Sequence, residues 1–301
     1  MRLSALLAVA VLLSVQTSTA EAGLFTTQCA GRKLGEAYQN PQAVAVVRAA
    51  ARGDATAVAS LIAHTPALAN WLEDGAVPPL LWAICADSVE GFEALLKAGA
   101  DPNLGGKGSG RGDANGDGRK EHGSIIERGW SATVMAAGSG RPDFLRLALR
   151  HGGDVNASKG EREPNRPLLK AAEAGLLDNI KALIAAGADI NTHDRGGSAP
   201  HYAIGGRGRF DIAVWLLEHG YNHDLAGLAR GAEVRYVPRE GKQQRWKETL
   251  ISMLRERGLV FPATERLRAA IERDRIVPPE GIEDLIMGRK SVEDFPERKK
   301  P

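Results

Sequence analysis

The sequence has little concentrated charge and few aromatic residues. Its 301 residues carry a formal net charge of only +2, and aromatic residues make up 5% of the chain. Lys and Arg are scattered among Asp and Glu, so the chain has no basic block that would attract a nucleic acid. The apolar fraction of 43% is ordinary for a soluble globular protein. We therefore expect a buried core and no nucleic-acid partner.

The sequence also lacks the short motifs that carry most enzyme chemistry. It contains no G-x-S-x-G nucleophile elbow, no phosphate-binding loop and no dinucleotide fingerprint. Residues 105–112, GGKGSGRG, are glycine-rich and include Lys107, but no predicted strand precedes them and no helix begins there. We therefore predict a protein without enzymatic activity and without a cofactor.

Only the N-terminus contains a long apolar run. It extends from Leu3 to Val15 and is followed by small residues, with candidate cleavage points after Ala20 and Ala22. About 13 residues is shorter than the roughly 20 that a membrane-spanning helix needs. We therefore expect residues 1–22 to be a secretory signal peptide, and the mature chain to be exported without stable membrane insertion.

The sequence has only two cysteines, and whether they form a disulfide depends on the compartment. The Ala-, Gly- and Arg-rich composition is typical of bacteria, so we expect the periplasm. In the alternative, a eukaryotic secreted protein, Asn156 would be a glycosylation acceptor. In either compartment Cys29, on an N-terminal arm of residues 23–42, can form a disulfide with Cys85. The alternative is a free thiol at Cys29 and a small buried hydrophobe at Cys85.

Four segments of the chain repeat one pattern. Each has an apolar pair at the end of a predicted helix and then a glycine, which adopts a left-handed helix cap at little cost. The segments are LLKAGADPN (95–103), ALRHGGDVN (148–156), LIAAGADIN (183–191) and LLEHGYNHD (216–224). Their glycines are 53, 35 and 33 residues apart (152 − 99, 187 − 152 and 220 − 187). A period in this range is typical of stacked supersecondary units.

Each of these endings closes a pair of predicted helices. A short apolar helix, a break and an amphipathic second helix come before it. A fifth copy ends in LIAHTPALAN (61–70), where Thr65 takes the glycine position. The breaks between the two helices fall at Gly53, Asp87, Gly140, Gly175 and Gly208.

This pattern resembles the ankyrin repeat over roughly residues 43–224, with a degenerate extension to about 260. The Gly-Ala-Asp-x-Asn endings are close to the family consensus, whereas its Thr-Pro-Leu-His opening is present only in remnants. The remnants are Pro78–Leu81, Ser131–Val134, Arg166–Leu169 and Ala199–Tyr202. The resemblance implies an all-α solenoid of five to six helix-pair repeats with hairpin fingers, covering 43–260. A helical cap and a charged tail, 261–301, would complete it.

A helix pair cannot cover its own apolar face, so stacked neighbours must share one continuous core. In the irregular last repeat, the pattern predicts an amphipathic helix with Trp246, Leu250 and Leu254 on its core side. Seven leucine and isoleucine positions at the helix ends are predicted core residues: Leu95, Leu96, Leu145, Leu183, Ile184, Leu216 and Leu217.

The 53-residue step contains a long finger at 105–129. Within it, Asp113, Asn115 and Asp117 match the first half of a calcium loop, with Glu121 at the ninth position. The twelfth position, where such a loop has a bidentate glutamate, is Ser124. The finger therefore has three interpretations: a calcium site, a solvated spacer, or an insertion that contacts a partner.

The histidines also have two interpretations each. His219 and His223 are four residues apart, as two zinc ligands on a helix would be, but Gly220 ends that helix between them. We therefore expect surface or capping roles for both. His201 lies at an opening turn, where the family uses a histidine to bond the backbone across repeats, so a structural role is expected.

The resemblance places partner binding on a concave face made of finger tips and the ends of the first helices. An aromatic side chain on a finger is an efficient interface anchor, but packing beneath the first finger explains Trp71 equally well. The candidate partner-binding residues are Trp71, Glu73, Asp74, Arg111, Arg119, Lys120, Lys159, Arg162, Glu173, His193, Arg195 and Arg207.

We therefore predict a non-enzymatic protein-binding module in the periplasm. By analogy with exported ankyrin-like proteins, it would be an immunity protein that covers a toxic effector enzyme such as a phospholipase. One alternative is an accessory partner of a periplasmic redox enzyme such as catalase. The other alternative is a calcium-dependent binding module built on the finger.

Overall fold

The computed structural model shows a row of helix pairs. It describes residues 28–107, 130–157, 166–238 and 240–298. The expected signal peptide at 1–22 and most of the long finger therefore lie outside the described residues.

Each repeat contributes a first and a second helix. The first helices are α2 (Pro41–Ala51), α4 (Pro79–Cys85), α6 (Ala132–Ala137), α8 (Pro167–Ala174), α10 (Ala199–Tyr202) and α12 (Leu225–Val234). The second helices are α3 (Ala55–His64), α5 (Val89–Lys97), α7 (Pro142–Arg150), α9 (Leu177–Ala185), α11 (Phe210–Glu218) and α13 (Lys242–Glu256). Each first helix from α2 to α10 contacts the first helix of the next repeat, so the predicted stack of helix pairs is confirmed.

Left-handed glycines end the second helices, as predicted. The φ angles are +92° at Gly99, +85° at Gly152, +94° at Gly187 and +102° at Gly220. A side chain is strained in this region, which explains why the repeat has glycine there. The first repeat differs, because Thr65 has a φ of −144° and a 3₁₀ turn follows over Pro66–Asn70.

One asparagine at the end of each repeat ties it to the next repeat. Nδ2 of Asn70, Asn103 and Asn156 each donates to the carbonyl of the left-handed glycine one repeat later, at 2.8–3.2 Å. Oδ1 of each accepts the N–H of the aspartate two residues beyond that glycine, at 2.7–2.9 Å. Asn191 accepts from the N–H of Asn222 and His223 in the same way. These asparagines therefore fix the spacing between repeats.

The repeats share one apolar core. Leu95, Leu145 and Leu183 have no solvent exposure, and the rings of Phe92 and Phe144 meet edge to face with centroids 5.2 Å apart. Ile184 is half-buried and packs against this core. The continuous core is the reason why isolated repeats would be unstable.

The N-terminal arm is fastened to the first two repeats. A short hairpin of β1 (Gln28–Cys29) and β2 (Arg32–Lys33) leads into α1 (Leu34–Ala37). Cys29 and Cys85 form a disulfide, which joins this hairpin to the end of α4. Tyr38 is buried and its hydroxyl donates to the carbonyl of Val77. The loose-arm alternative is therefore wrong.

Helix α13 buries Leu250 and Leu254, as the sequence pattern predicts, but the prediction was wrong for Trp246. Trp246 is 41% exposed, whereas Lys247 has no exposure. Nζ of Lys247 donates to the carbonyls of Arg235 at 3.0 Å and Glu233 at 3.4 Å, at the end of α12. The last carbonyls of a helix lack partners within the helix, so Lys247 acts as a cap at the end of α12.

The C-terminal segment packs on the last repeat. It contains α14 (Glu265–Ala269), a π-helical turn (Ala270–Asp274), α15 (Pro279–Ile286) and a 3₁₀ turn (Val292–Asp294). Leu285, Ile286 and Phe295 are buried in the shared core. Glu283 on α15 forms a two-bond ion pair with Arg255 on α13, at 2.9 and 3.0 Å. Helices α14 and α15 therefore cover the end of the stack.

The disulfide gives a first prediction. Replacing both cysteines, Cys29→Ser with Cys85→Ser, should lower the free energy of unfolding by about 4 kcal/mol, because the unfolded chain regains the freedom of a loop that joins residues 56 positions apart. Urea denaturation of the oxidised protein and the double variant measures the difference. Reduced wild-type protein should match the variant. Equal urea midpoints for the oxidised and reduced protein would contradict the prediction.

The buried lysine gives a second prediction. Burial lowers the pKa of Lys247 to about 8, and the nearby Glu233 carboxylate offsets part of this effect. Below pH 8 the ammonium is charged in both states, so the full penalty of burying it applies. Between that value and the ordinary lysine pKa of 10.5, only the unfolded chain holds the proton, so stability rises with pH. The gain should be about 3 kcal/mol.

Denaturation of wild-type protein and Lys247→Met across pH 7 to 10.5 measures this gain. The variant should lose the rise, since it has no group to titrate. Lys242→Met, at an exposed position on the same helix, is the matched control and should keep the rise. A pH profile that is the same in wild-type protein and Lys247→Met would show that the prediction is wrong.

Candidate functional site

The ends of the first helices form a polar strip across three repeats. Lys170 lies on α8 with its ammonium 4.5 Å from the centroid of the Trp130 ring, and it forms an ion pair with Glu173. The Lys170 side chain is 10% exposed, whereas that of Glu173 is 50% exposed. The pair therefore presents a carboxylate to solvent while its cation stays covered by the tryptophan.

The next repeat continues this surface. A π-helical turn, Ala203–Arg207, follows α10, and Gly208 ends it with a φ of +65°. A Cβ atom at Gly206 would lie 3.3 Å from the carbonyl oxygen of Glu173, so the two helix ends are close. Gly205, Gly206 and Arg207 are exposed. We call Trp130, Lys170, Glu173, Tyr202 and Arg207 the inner strip.

Tyr202 links the inner strip to the finger before it. Its hydroxyl lies 2.9 and 3.0 Å from the two carboxylate oxygens of Asp194 in β3 (His193–Asp194). Burial, together with this carboxylate, raises the pKa of Tyr202 above its usual range. Asp194 also accepts the N–H of Gly196, which holds the hairpin with β4 (Gly197–Ser198). The aromatic side chain is therefore held rigidly, as an interface residue needs to be.

A Ser–His–Asp arrangement is present beside the strip. Ser198 Oγ lies 2.7 Å from Nδ1 of His201 and 2.6 Å from the hydroxyl of Tyr221, and His201 Nε2 lies 3.7 Å from Asp224. Desolvation lowers the pKa of His201, although the Asp224 carboxylate acts in the opposite direction. Ser198 has no exposure, so no substrate can reach it. The arrangement supports the packing of the fifth repeat, as expected for His201.

The first finger holds three of the predicted partner-binding residues. Trp71 is half-buried against the core, and its Nε1 donates to Glu73 at 2.9 Å. Glu73 also accepts the N–H of Gln39 and Asn40; these bonds outweigh its desolvation and lower its pKa. Trp71 therefore packs beneath the first finger, which is the second of its two interpretations.

Other predicted residues lie at finger positions or outside the described residues. The exposed Asp74 pairs with Lys107 at 2.6 Å. His193 and Arg195 are exposed on the fourth finger, where the His193 ring stacks on His223 with centroids 4.0 Å apart. Five further partner-binding candidates lie outside the described residues: Arg111, Arg119, Lys120, Lys159 and Arg162. Their role remains a prediction.

The predicted calcium ligands Asp113, Asn115, Asp117 and Glu121 also lie outside the described residues. Within the described ranges, no group of three or more His, Cys, Asp or Glu side chains could hold a metal ion. His219 stacks on Trp215, so it does not share a site with His223. In the same part of the chain, no helix has both the length and the apolar character that crossing a membrane requires.

Sequence reasoning missed Trp130, Lys170 and Tyr202 as members of the inner strip. One signal was available for Lys170, because a lone lysine in an apolar helix with a glutamate three residues later is a common helix-surface pair. Trp130 carries no comparable local signal. It directly precedes a repeat, and its contact with Lys170 comes from the next repeat along the stack.

This fold and surface define a helical-repeat solenoid of the kind that binds other proteins. The family model described as ankyrin repeats in three copies matches residues 133–226. The chain is 32% identical over 134 residues to cyclin-dependent kinase 4 inhibitor B of Bos taurus, covering 44% of this chain and 86% of that protein. The human protein of the same name is 33% identical over 128 residues, covering 42% and 77%. The chain belongs to the ankyrin-repeat family.

Two further matches show how general the fold is. The potassium channel KOR1 of Oryza sativa subsp. japonica is 37% identical over 111 residues, or 36% of this chain, but the match spans only 13% of that channel. The human ASB11 ankyrin repeat domain superposes with a TM-score of 0.53 at 20% identity, covering 84% of this chain and 99% of that domain. The chain is therefore a protein–protein interaction module on a scaffold that is typically non-enzymatic.

The buried serine beside the strip gives a third prediction. Ser198→Ala should lower the free energy of unfolding by about 2 kcal/mol, because it leaves the Tyr221 hydroxyl and His201 Nδ1 buried without this partner. Adding Tyr221→Phe should recover part of the loss. Ser252→Ala, at an exposed position on α13, is the control and should change stability by less than about 0.5 kcal/mol. Chemical denaturation decides, and equal losses in the two serine variants would contradict the prediction.

Proposed function

We propose that the chain binds a partner protein through the inner strip and the neighbouring fingers, which together form the concave side of the stack. The observation that carries this proposal is the continuity of the strip. Trp130, Lys170 and Glu173 meet across two repeats, and Gly206 of the next repeat lies against Glu173. A rigid surface that spans three repeats can recognise shape as well as charge.

The chemistry of the strip suits a protein surface. Trp130 and Tyr202 are aromatic side chains held by neighbours, and such anchors lose little entropy on binding. Glu173 and Arg207 supply opposite charges on adjacent repeats. The exposed Gly205 and Gly206 have no side chains, so a partner can approach the backbone there.

We further propose that the partner is an enzyme and that binding blocks it. Two ankyrin-repeat relatives are named as inhibitors of an enzyme, cyclin-dependent kinase 4, so the scaffold is compatible with inhibition. The Cys29–Cys85 disulfide suits an oxidising compartment, in line with the proposed export to the periplasm. In that compartment, an immunity protein that covers a toxic effector such as a phospholipase is the proposed role.

The proposed role gives a fourth prediction. The mature protein, immobilised and exposed to a periplasmic extract of its source, should capture an enzyme and inhibit it when purified. Arg207→Glu and Glu173→Arg should each weaken the complex about tenfold or more, since each reverses a charge at the interface. Arg150→Glu, exposed at the end of the outer helix α7, is the matched control and should bind like wild type. Isothermal titration calorimetry with the purified enzyme measures the affinities.

The proposed interface and the proposed inhibition are tested by different outcomes. Equal affinities for the strip variants and the control would show that the inner strip is not the interface. Capture of an enzyme that stays fully active, or of a redox enzyme such as catalase, would contradict inhibition but not binding. A deletion of residues 107–124 that abolishes capture would assign the interface to the long finger instead.

A further inference from the structure

The C-terminal cap carries a cavity that is open to solvent and lies outside the inner strip. Its volume is about 420 Å³, within the size range of ligand sites. Three segments meet around it: the end of α12, the start of α14 and the residues that follow α15. Glu233, Tyr236, Arg266, Leu285 and Lys290 are among the residues that line it.

Two large apolar side chains at this cavity are open to solvent. Val234 is 69% exposed and Tyr236 is 71% exposed, and both line the cavity. Most large apolar side chains of the repeats are buried or half-buried in the shared core. Exposed apolar residues beside a concave site are typical of a surface that another molecule covers.

Two of the basic side chains at the cavity are in ion pairs, whereas a third is not. Arg289 and Lys290 each pair with Asp284, at 2.8 and 3.3 Å, but Arg266 has no carboxylate within 4.0 Å among the described residues. The ammonium of Lys247 lies behind the wall, where it contacts the carbonyls of Glu233 and Arg235.

The carboxylates that line the cavity are already engaged. Glu233 accepts the N–H groups of Ala263 and Thr264, both at 2.8 Å. Asp294 accepts the N–H of Ser291 at 2.7 Å. Glu293 is the remaining acidic residue at the wall; hydrogen bonds from its own N–H and from Ser291 lower its pKa, and the positive charges of Arg275 and Arg266 act in the same direction. A ligand with a carboxylate would therefore meet an arginine that lacks a close partner.

We propose that this cavity binds an acidic segment of a partner protein, with a carboxylate directed to Arg266 and a neighbouring apolar side chain between Val234 and Tyr236. The combination of an apolar rim and an arginine outside any ion pair favours such a segment over a simple anion, which would not use the apolar side chains. The chain then has two separate contact surfaces, one on the repeats and one on the cap.

The probe for the test is a phage-displayed library of random dodecapeptides, selected on the mature protein. Enriched peptides should carry Asp or Glu within two residues of Leu, Ile, Val or Phe. Fluorescence anisotropy with the most enriched peptide should then show at least about tenfold weaker binding to Arg266→Glu and to Tyr236→Ser. Replacing the acidic residues of the peptide by lysine should abolish its binding.

Matched controls come from the same end of the molecule. Arg245→Glu changes an exposed charge on α13, and Val260→Ser removes an apolar side chain that is 81% exposed; neither residue lines the cavity. Both should bind the peptide within twofold of wild type, and circular dichroism should show that all four variants remain folded.

Three results would overturn the proposal. One is enrichment of basic peptides or of none, and another is equal peptide affinity for the cavity variants and the controls. The third is a wild-type dimer, detected by light scattering, that Tyr236→Ser dissociates, because a second copy of the chain would then occupy the cavity.

Discussion

The structure depends on one constraint: no helix pair in this chain can cover its own apolar face. Leu95, Leu145 and Leu183 have no exposure, and they lie in one core that the stacked repeats share. The asparagine at the end of each repeat adds direction to this packing, since its side chain bonds the next repeat's backbone at one fixed spacing. Stacking and spacing together place the ends of the first helices side by side, and this row of helix ends is the surface available for binding.

Both ends of the stack are closed by contacts that do not belong to the repeat pattern. At the N-terminus, a disulfide and the carboxylate of Glu73 fasten the arm to the first two repeats. At the C-terminus, α15 packs on the last repeat, and the buried Lys247 caps the end of α12. These ends lack a neighbour on one side, so each needs contacts that the inner repeats do not need. The cavity and the exposed Tyr236 also lie at the C-terminal end, outside the repeat pattern.

The stack and its glycine-capped ends could be predicted from the sequence because they follow from local rules. A positive φ selects glycine, so Gly99 or Gly187 identifies a helix end without any tertiary information. Lys247 could not be predicted in this way, since apolar periodicity assigns the core side of α13 to Trp246, Leu250 and Leu254, and only the two leucines are buried. The carbonyls that select a lysine belong to another helix. The contact of Lys170 with Trp130 is also set between repeats, which explains why the sequence indicated Glu173 but not its partners.

Hydrogen exchange after removal of one end tests the stacking constraint most directly. Deleting residues 225–301 uncovers the face of α11 that α13 contacts, while α2 and α4 keep all their neighbours. We expect the amides of Phe210–Glu218 to exchange at least about tenfold faster in the shortened chain, and those of Pro79–Cys85 to be almost unchanged. Unchanged exchange in α11 would show that the helix pairs are stable without their neighbours, and would contradict the stacking constraint.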